Sequence, residues 1–97
     1  MEPHVLHNSE LNRYEIWVGD EKVGHADYQD IDGELHFTHT EVDPAHQGKN
    51  YAAILIREAF KDIEENNRGK VWPVCSYVVT YMKRHPETQS LLARELN

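Results

Sequence analysis

Between Arg13 and Val18 apolar and polar positions alternate: Tyr14, Ile16 and Val18 are separated by Glu15 and Trp17. A period of two puts the first set on one face of a strand and the second on the other. Gly19-Asp20-Glu21 follows as a turn, and Val23 to Tyr28 reads as the returning strand. Asp32-Gly33 signals a second hairpin, and the segment from Leu35 to Val42 that follows is rich in Phe, Thr and Val. The residues ahead of Arg13 show no sustained period and are expected to form a short strand or arm with a turn at Asn8-Ser9-Glu10.

After Asp43-Pro44 the period changes. Ala52, Leu55, Ile56, Ala59, Phe60 and Ile63 recur every three or four residues, with Arg57, Glu58, Lys61 and Asp62 between them, so Tyr51 to Glu65 is predicted as an amphipathic helix. Gly69 is the expected left-handed residue at its end. Val71 to Cys75 reads as a short buried strand, and Ser76 opens a helix carrying Tyr77, Val78, Tyr81 and Met82 that stops at His85-Pro86. A last helix is expected over Thr88 to Leu96, with Leu91, Leu92 and Leu96 inward. A helix between the third and fourth strands permits a parallel crossover. The expectation is an α+β (mixed α/β) fold, mostly antiparallel with one parallel pair, in a single domain over residues 1–97.

One segment resists simple alternation. Leu35, Phe37, His39 and Glu41 fall on one face of a regular strand and His36, Thr38, Thr40 and Val42 on the other, so neither face is purely apolar. A bulge near His39 would resolve the conflict.

Composition and charge narrow the function. With 39% hydrophobic and 28% charged residues the chain is apolar enough to fold. A net charge of −7 argues against binding a phosphate backbone and suits a cationic amine substrate. No apolar run approaches the roughly 20 residues that span a bilayer, and Met1-Glu2-Pro3-His4 does not begin a leader, so a cytoplasmic location is expected, without membrane or nucleic-acid partners. The lone Cys75 cannot form an internal disulfide, in keeping with a reducing compartment.

Residues 40–52 run from a strand through a proline-containing loop into Gln47-Gly48-Lys49-Asn50-Tyr51-Ala52 at the start of the amphipathic helix. The first turn of a helix presents unpaired amides and partial positive charge, which suits a diphosphate. Gly48 allows close approach of backbone to anion, and Lys49 adds a charge. This segment resembles the acetyl-CoA motif of the GNAT acetyltransferase superfamily, Gln/Arg-x-x-Gly-x-Gly/Ala. Gln47 and Ala52 match its ends, whereas Asn50 stands at the inner glycine position. His39-Thr40-Glu41-Val42 and Cys75-Ser76-Tyr77 further resemble segments of the short members that lack the usual amino-terminal helices.

The resemblance implies a sheet splayed between its parallel strands and an acetyl-CoA-dependent transfer to an amine. It implies that Glu41 and Val42 offer backbone groups to the pantetheine arm, that residues 47–52 hold the pyrophosphate, and that His39 and Cys75 flank the thioester. His39 is the candidate base, since imidazole titrates near neutrality. Cys75 is either an acyl acceptor or a passive wall. Tyr81, with Tyr77 as its rival, is the candidate proton donor to the leaving thiolate and contact to the cofactor. Lys83, Arg84 and His85 either touch CoA phosphates or complement the helix dipole. No metal is expected, because His36 and His39 point to opposite faces of a regular strand and no further ligand completes a set. The alternative reading is a non-catalytic module that keeps the CoA pocket or only the fold, with an unknown acceptor or partner.

Overall fold

A computed structural model describes residues 2–96. Strands β1 (Pro3–Asn8), β2 (Arg13–Val18), β3 (Glu21–Ile31) and β4 (Glu34–Val42) form an antiparallel meander, and β5 (Lys70–Pro73) joins β4 in parallel. The sheet order is the order of the chain, β1-β2-β3-β4-β5. Helix α1 (Tyr51–Glu65) is the crossover between the parallel strands, and α2 (Ser76–Arg84) follows β5. The fold is therefore mixed α+β, with one parallel pair at the end of an antiparallel sheet. No helix of the described residues is long and apolar enough to cross a membrane.

The core forms where the apolar stripe of α1 meets one face of the sheet. Leu55, Ile56, Ala59, Phe60 and Ile63 of α1 are buried against Tyr14, Ile16, Ala26, Tyr28, Leu35 and Phe37. Each large apolar side chain removed from water contributes roughly 1.5–3 kcal/mol, so this contact holds the helix to the sheet. A polar latch adds direction: the Tyr14 hydroxyl donates to Asp62 at 2.6 Å, and Arg68 Nε donates to the same carboxylate at 2.6 Å. β1 is tied down as well. His7 stacks on Tyr14 at 4.5 Å and shares a 2.6 Å hydrogen bond with the Tyr28 hydroxyl, so of the two expected forms, short strand or arm, this segment is the strand, at the sheet edge.

Two chain ends of helices differ from expectation. Asn67, with φ 53°, takes the left-handed position after α1, and the Arg68 amide closes the helix on the Ile63 carbonyl. Gly69 serves a different purpose, because a Cβ there would collide with the Gly33 carbonyl to which Lys70 donates its amide. The predicted last helix is a short 3₁₀ turn over Pro86–Leu91. The Thr88 hydroxyl and Gln89 amide bond back to the His85 and Met82 carbonyls, holding that turn tight. Leu92 is extended and bridges Val71 in parallel, and the Ala93 amide donates to the Val71 carbonyl, so the tail runs along β5 like an added strand.

Candidate active site

β4 holds its place by two different partners along its length. From Glu34 to Phe37 it pairs with β3 on one side and β5 on the other; beyond Phe37 only β3 remains. The Phe37 carbonyl accepts from both the Val74 and Cys75 amides, which turns the chain after β5 away from β4. The Asp43 amide donates to Val23 on β3, so by alternation the backbone groups of Val42 and Thr40 face the unpaired side. An open strand edge is thereby left next to the start of α2.

The expected bulge is present. Asp27 lies opposite His39 and Tyr28 opposite Phe37, which leaves Thr38 as the extra residue of β4. The extra residue reverses the faces after it. Leu35 and Phe37 face α1 and are buried; after the bulge Thr40 and Val42 take over that side, while His39 and Glu41 pass to the other.

On the α1 side, Thr40, Val42, His46, Gln47, Gly48 and Tyr77, with the first residues of α1, line a cleft of about 370 Å³. That volume is in the range of ligand sites. The loop beneath it is shaped by two left-handed residues, Gly48 at φ 83° and Asn50 at φ 64°. Asn50 thus supplies the backbone geometry that the motif's glycine would, because asparagine adopts this region more readily than other residues with a side chain. The first hydrogen bond of α1 is donated by Ile54 to the Asn50 carbonyl at 3.1 Å, so the amides of Tyr51, Ala52 and Ala53 have no intrahelical acceptor. No acidic residue stands in that first turn. Gln47 Nε2 donates to the Val42 carbonyl at 3.3 Å and fixes the loop to the strand edge. His46 leaves its buried Nδ1 without a partner, while its Nε2 meets Glu21 at 3.2 Å. Free amides, an unsatisfied buried nitrogen and an open strand edge fit a ligand with phosphates at one end and amide groups along its length, as acetyl-CoA has.

Cys75 stands where β4 and the chain after β5 separate. It is half-buried, its Sγ lies 3.8 Å from Thr40 Oγ1, and it is extended ahead of α2. Tyr77, the second residue of α2, lines the cleft; burial pushes its phenol pKa up, so the hydroxyl keeps its proton at neutral pH. Tyr81 does not line the cleft, which corrects its expected place. It packs edge-on to Phe60 at 6.0 Å and stacks on His85 at 4.0 Å, over a separate hollow beside Leu91. One helical turn separates the two tyrosines, and the core takes the second. Lys83 and Arg84 lie at the far end of α2, in its last turn.

On the other face of the sheet His39 Nε2 meets Glu41 Oε1 at 3.1 Å, with both side chains 55% exposed. The hydrogen bond from His39 holds the Glu41 carboxyl below its usual range, with the nearby His25 adding to the effect. Glu41 therefore offers its side chain to His39, and β3 occupies the side its backbone faces. The bulge also corrects the argument against a histidine cluster: His36 and His39 share this face, and His25, His39 and Glu41 bring ligand atoms within 4.8 Å of one another. Sequence reasoning did not single out Thr40, His46 or Ala53, or prefer Tyr77 to Tyr81, because their selection depends on the register after Thr38 and on the fall of the loop. The face conflict in residues 35–42 was the only available signal.

The structure defines a small α+β protein whose sheet opens beside a helix start able to take an anion. The chain belongs to the GCN5-related N-acetyl-transferase family, whose model matches residues 13–91. It is similar in fold to a GCN5-like protein from Staphylococcus aureus, with a TM-score of 0.71 at 18% identity over 97% of this chain and 91% of that one. The ribosomal-protein-S18-alanine N-acetyltransferase from Escherichia coli matches with a TM-score of 0.61 at 13% identity, over 74% of this chain and 49% of the other, so the chain spans about half the length of that enzyme. An acetyltransferase structure from Clostridium acetobutylicum that contains acetyl-CoA matches with a TM-score of 0.54 at 14% identity, over 88% of this chain and 62% of that one. A comparison with curated protein sequences gives no match.

Proposed function

We propose that the protein transfers an acetyl group from acetyl-CoA to an amine, by direct attack of the amine on the thioester. The observation that carries this reading is the release of β4 from β5 after Phe37, directly over the free amides that begin α1. In this reading the loop and first turn of α1, residues 47–53, hold the phosphates, and the edge of β4 at Thr40 and Val42 pairs with the pantetheine amides. The acetyl group then rests in the opening between Thr40 and Cys75.

The acceptor amine enters from the opposite face. His39 and Glu41 lie there, and a 3.1 Å bond to the Glu41 carboxylate orients the imidazole with its Nε2 proton on that bond. Its Nδ1 is then the base that takes the amine proton. The protonated Tyr77 gives a proton to the departing CoA thiolate on the cleft side. Cys75 is treated as a wall of the opening that packs against the acetyl group, since direct transfer needs no covalent step at its sulfur.

The acidic surface favours cationic acceptors such as polyamines or basic peptides. CoA release measured against such a panel is the test. Turnover is expected with at least one amine, and His39→Ala is expected to lower it about a hundredfold while leaving acetyl-CoA affinity in place. Binding of acetyl-CoA without CoA release from any amine would instead support a non-catalytic CoA-binding module.

A further inference from the structure

The sheet face away from α1 carries a group of side chains that the transfer reaction does not need as a group. On β3, His25 and Asp27 are two apart and share one face; on β4, His39 and Glu41 do the same. The ladder places His25 opposite Glu41 and Asp27 opposite His39, so imidazoles occupy one diagonal of a square and carboxylates the other. The two imidazole rings are 6.1 Å apart. Ligand atoms of His25, His39 and Glu41 lie within 4.8 Å of one another, and the closest pair, His39 Nε2 and Glu41 Oε1, is at 3.1 Å. Asp27 adds negative charge 3.6 Å from His25 Nε2.

We propose that His25, His39 and Glu41 form a binding site for a divalent transition-metal ion of the zinc type. Three donors in a cross-strand arrangement are held in register by the β3–β4 ladder, so an ion need not order a loop to bind. Tetrahedral zinc with bonds of about 2.0–2.2 Å spaces its ligands by roughly 3.4 Å, close to the His39–Glu41 separation already present. Rotation of the exposed His39 and Glu41 side chains closes the remaining distance to His25. Two imidazoles select zinc, copper, nickel or cobalt over magnesium or calcium, which prefer oxygen alone. Asp27 flanks His25 and adds negative charge, while Glu15 opposite His25 is already paired with Arg13 at 2.7 Å.

Among the described residues, the His36–Glu34 and His46–Glu21 pairs lack the second imidazole. His36 meets Glu34 at 3.1 Å and His46 meets Glu21 at 3.2 Å, yet among the described residues the group of three forms only at His25, His39 and Glu41. A pair of this kind is thus a built-in control. An ion on His39 Nε2 also withdraws the imidazole that the proposed reaction uses as base. That consequence rests on the proposed activity, whereas binding itself does not.

Calorimetric titration of zinc into the protein without a histidine tag tests the site directly. One equivalent is expected to bind, with affinity falling at least tenfold in His25→Ala and in Glu41→Gln and unchanged in His36→Ala. Glu41→Gln keeps the exposed position polar, so a folding defect in His25→Ala, visible by circular dichroism, would not mask the result. Zinc affinity unchanged by both substitutions, or lost equally in His36→Ala, would overturn the assignment.

Discussion

At the scale of single residues, Asn50 carries the most information about the cleft. Its left-handed backbone, φ 64°, places the loop so that the amides at the start of α1 are exposed to a ligand. A residue with an ordinary side chain pays roughly 1–2 kcal/mol to adopt that geometry. Asn50→Ala is therefore expected to lower stability by about 1 kcal/mol and to weaken acetyl-CoA binding, whereas Asn50→Gly keeps both. Thermal unfolding and calorimetry with acetyl-CoA on the two variants check this. The motif departure seen in the sequence is thus conservative where it counts, in the backbone. The tyrosines were less legible: Tyr77 and Tyr81 sit one turn apart with the same periodicity, and only the packing of Phe60 and His85 around Tyr81 separates them.

At the scale of elements, the register after Thr38 decides which side chains of β4 face the cleft. Deleting Thr38 removes the extra residue and closes a regular ladder in which Phe37, Thr40 and Val42 stay on the α1 side and His39 and Glu41 stay on the other. The expected result is a change of no more than about 1 kcal/mol in stability, with acetyl-CoA binding kept, because no side chain changes face; loss of both would contradict the assignment of Thr38 as the extra residue. Urea unfolding and calorimetry on the deletion variant read both. The period of β2 and of α1 was legible in the sequence because each buries one face, as Tyr14 with Ile16 and Leu55 with Phe60 do. A bulge was legible only as an inconsistency between Leu35 and Val42, which located it without giving the residue. The tail after Pro86 was misread because its leucines satisfy a helical pattern while Ala93 bonds to Val71, a partner distant in the chain.

For the molecule as a whole, the sheet and α1 are joined by a polar contact as well as by the core. Burial pushes the Asp62 carboxyl pKa up, but hydrogen bonds from Tyr14 and Arg68 outweigh it and hold the pKa below its ordinary value near 3.8. A depressed carboxyl pKa contributes stability that is complete above the unfolded value and is lost as the pH falls through the folded one. Asp62→Asn is expected to lower stability at pH 7 by about 1–2 kcal/mol and to lose less on further acidification than the parent protein. Urea midpoints at neutral and acidic pH measure both effects. This latch bears on the cleft because α1 carries the free amides at its first turn and Asp62 near its last, so a helix that slips on the sheet moves the cleft with it.

The central claim is that acetyl-CoA lies across the first turn of α1 and along the open edge of β4. Amide chemical shifts recorded by NMR on adding acetyl-CoA test it most directly. Shifts are expected to concentrate at Thr40, Val42, Gly48 to Ala53, Cys75 and Tyr77, with the amides of β1 and of Thr88 to Leu91 unmoved. Shifts gathered instead around Tyr81 and Leu91, or none at saturating acetyl-CoA, would contradict it.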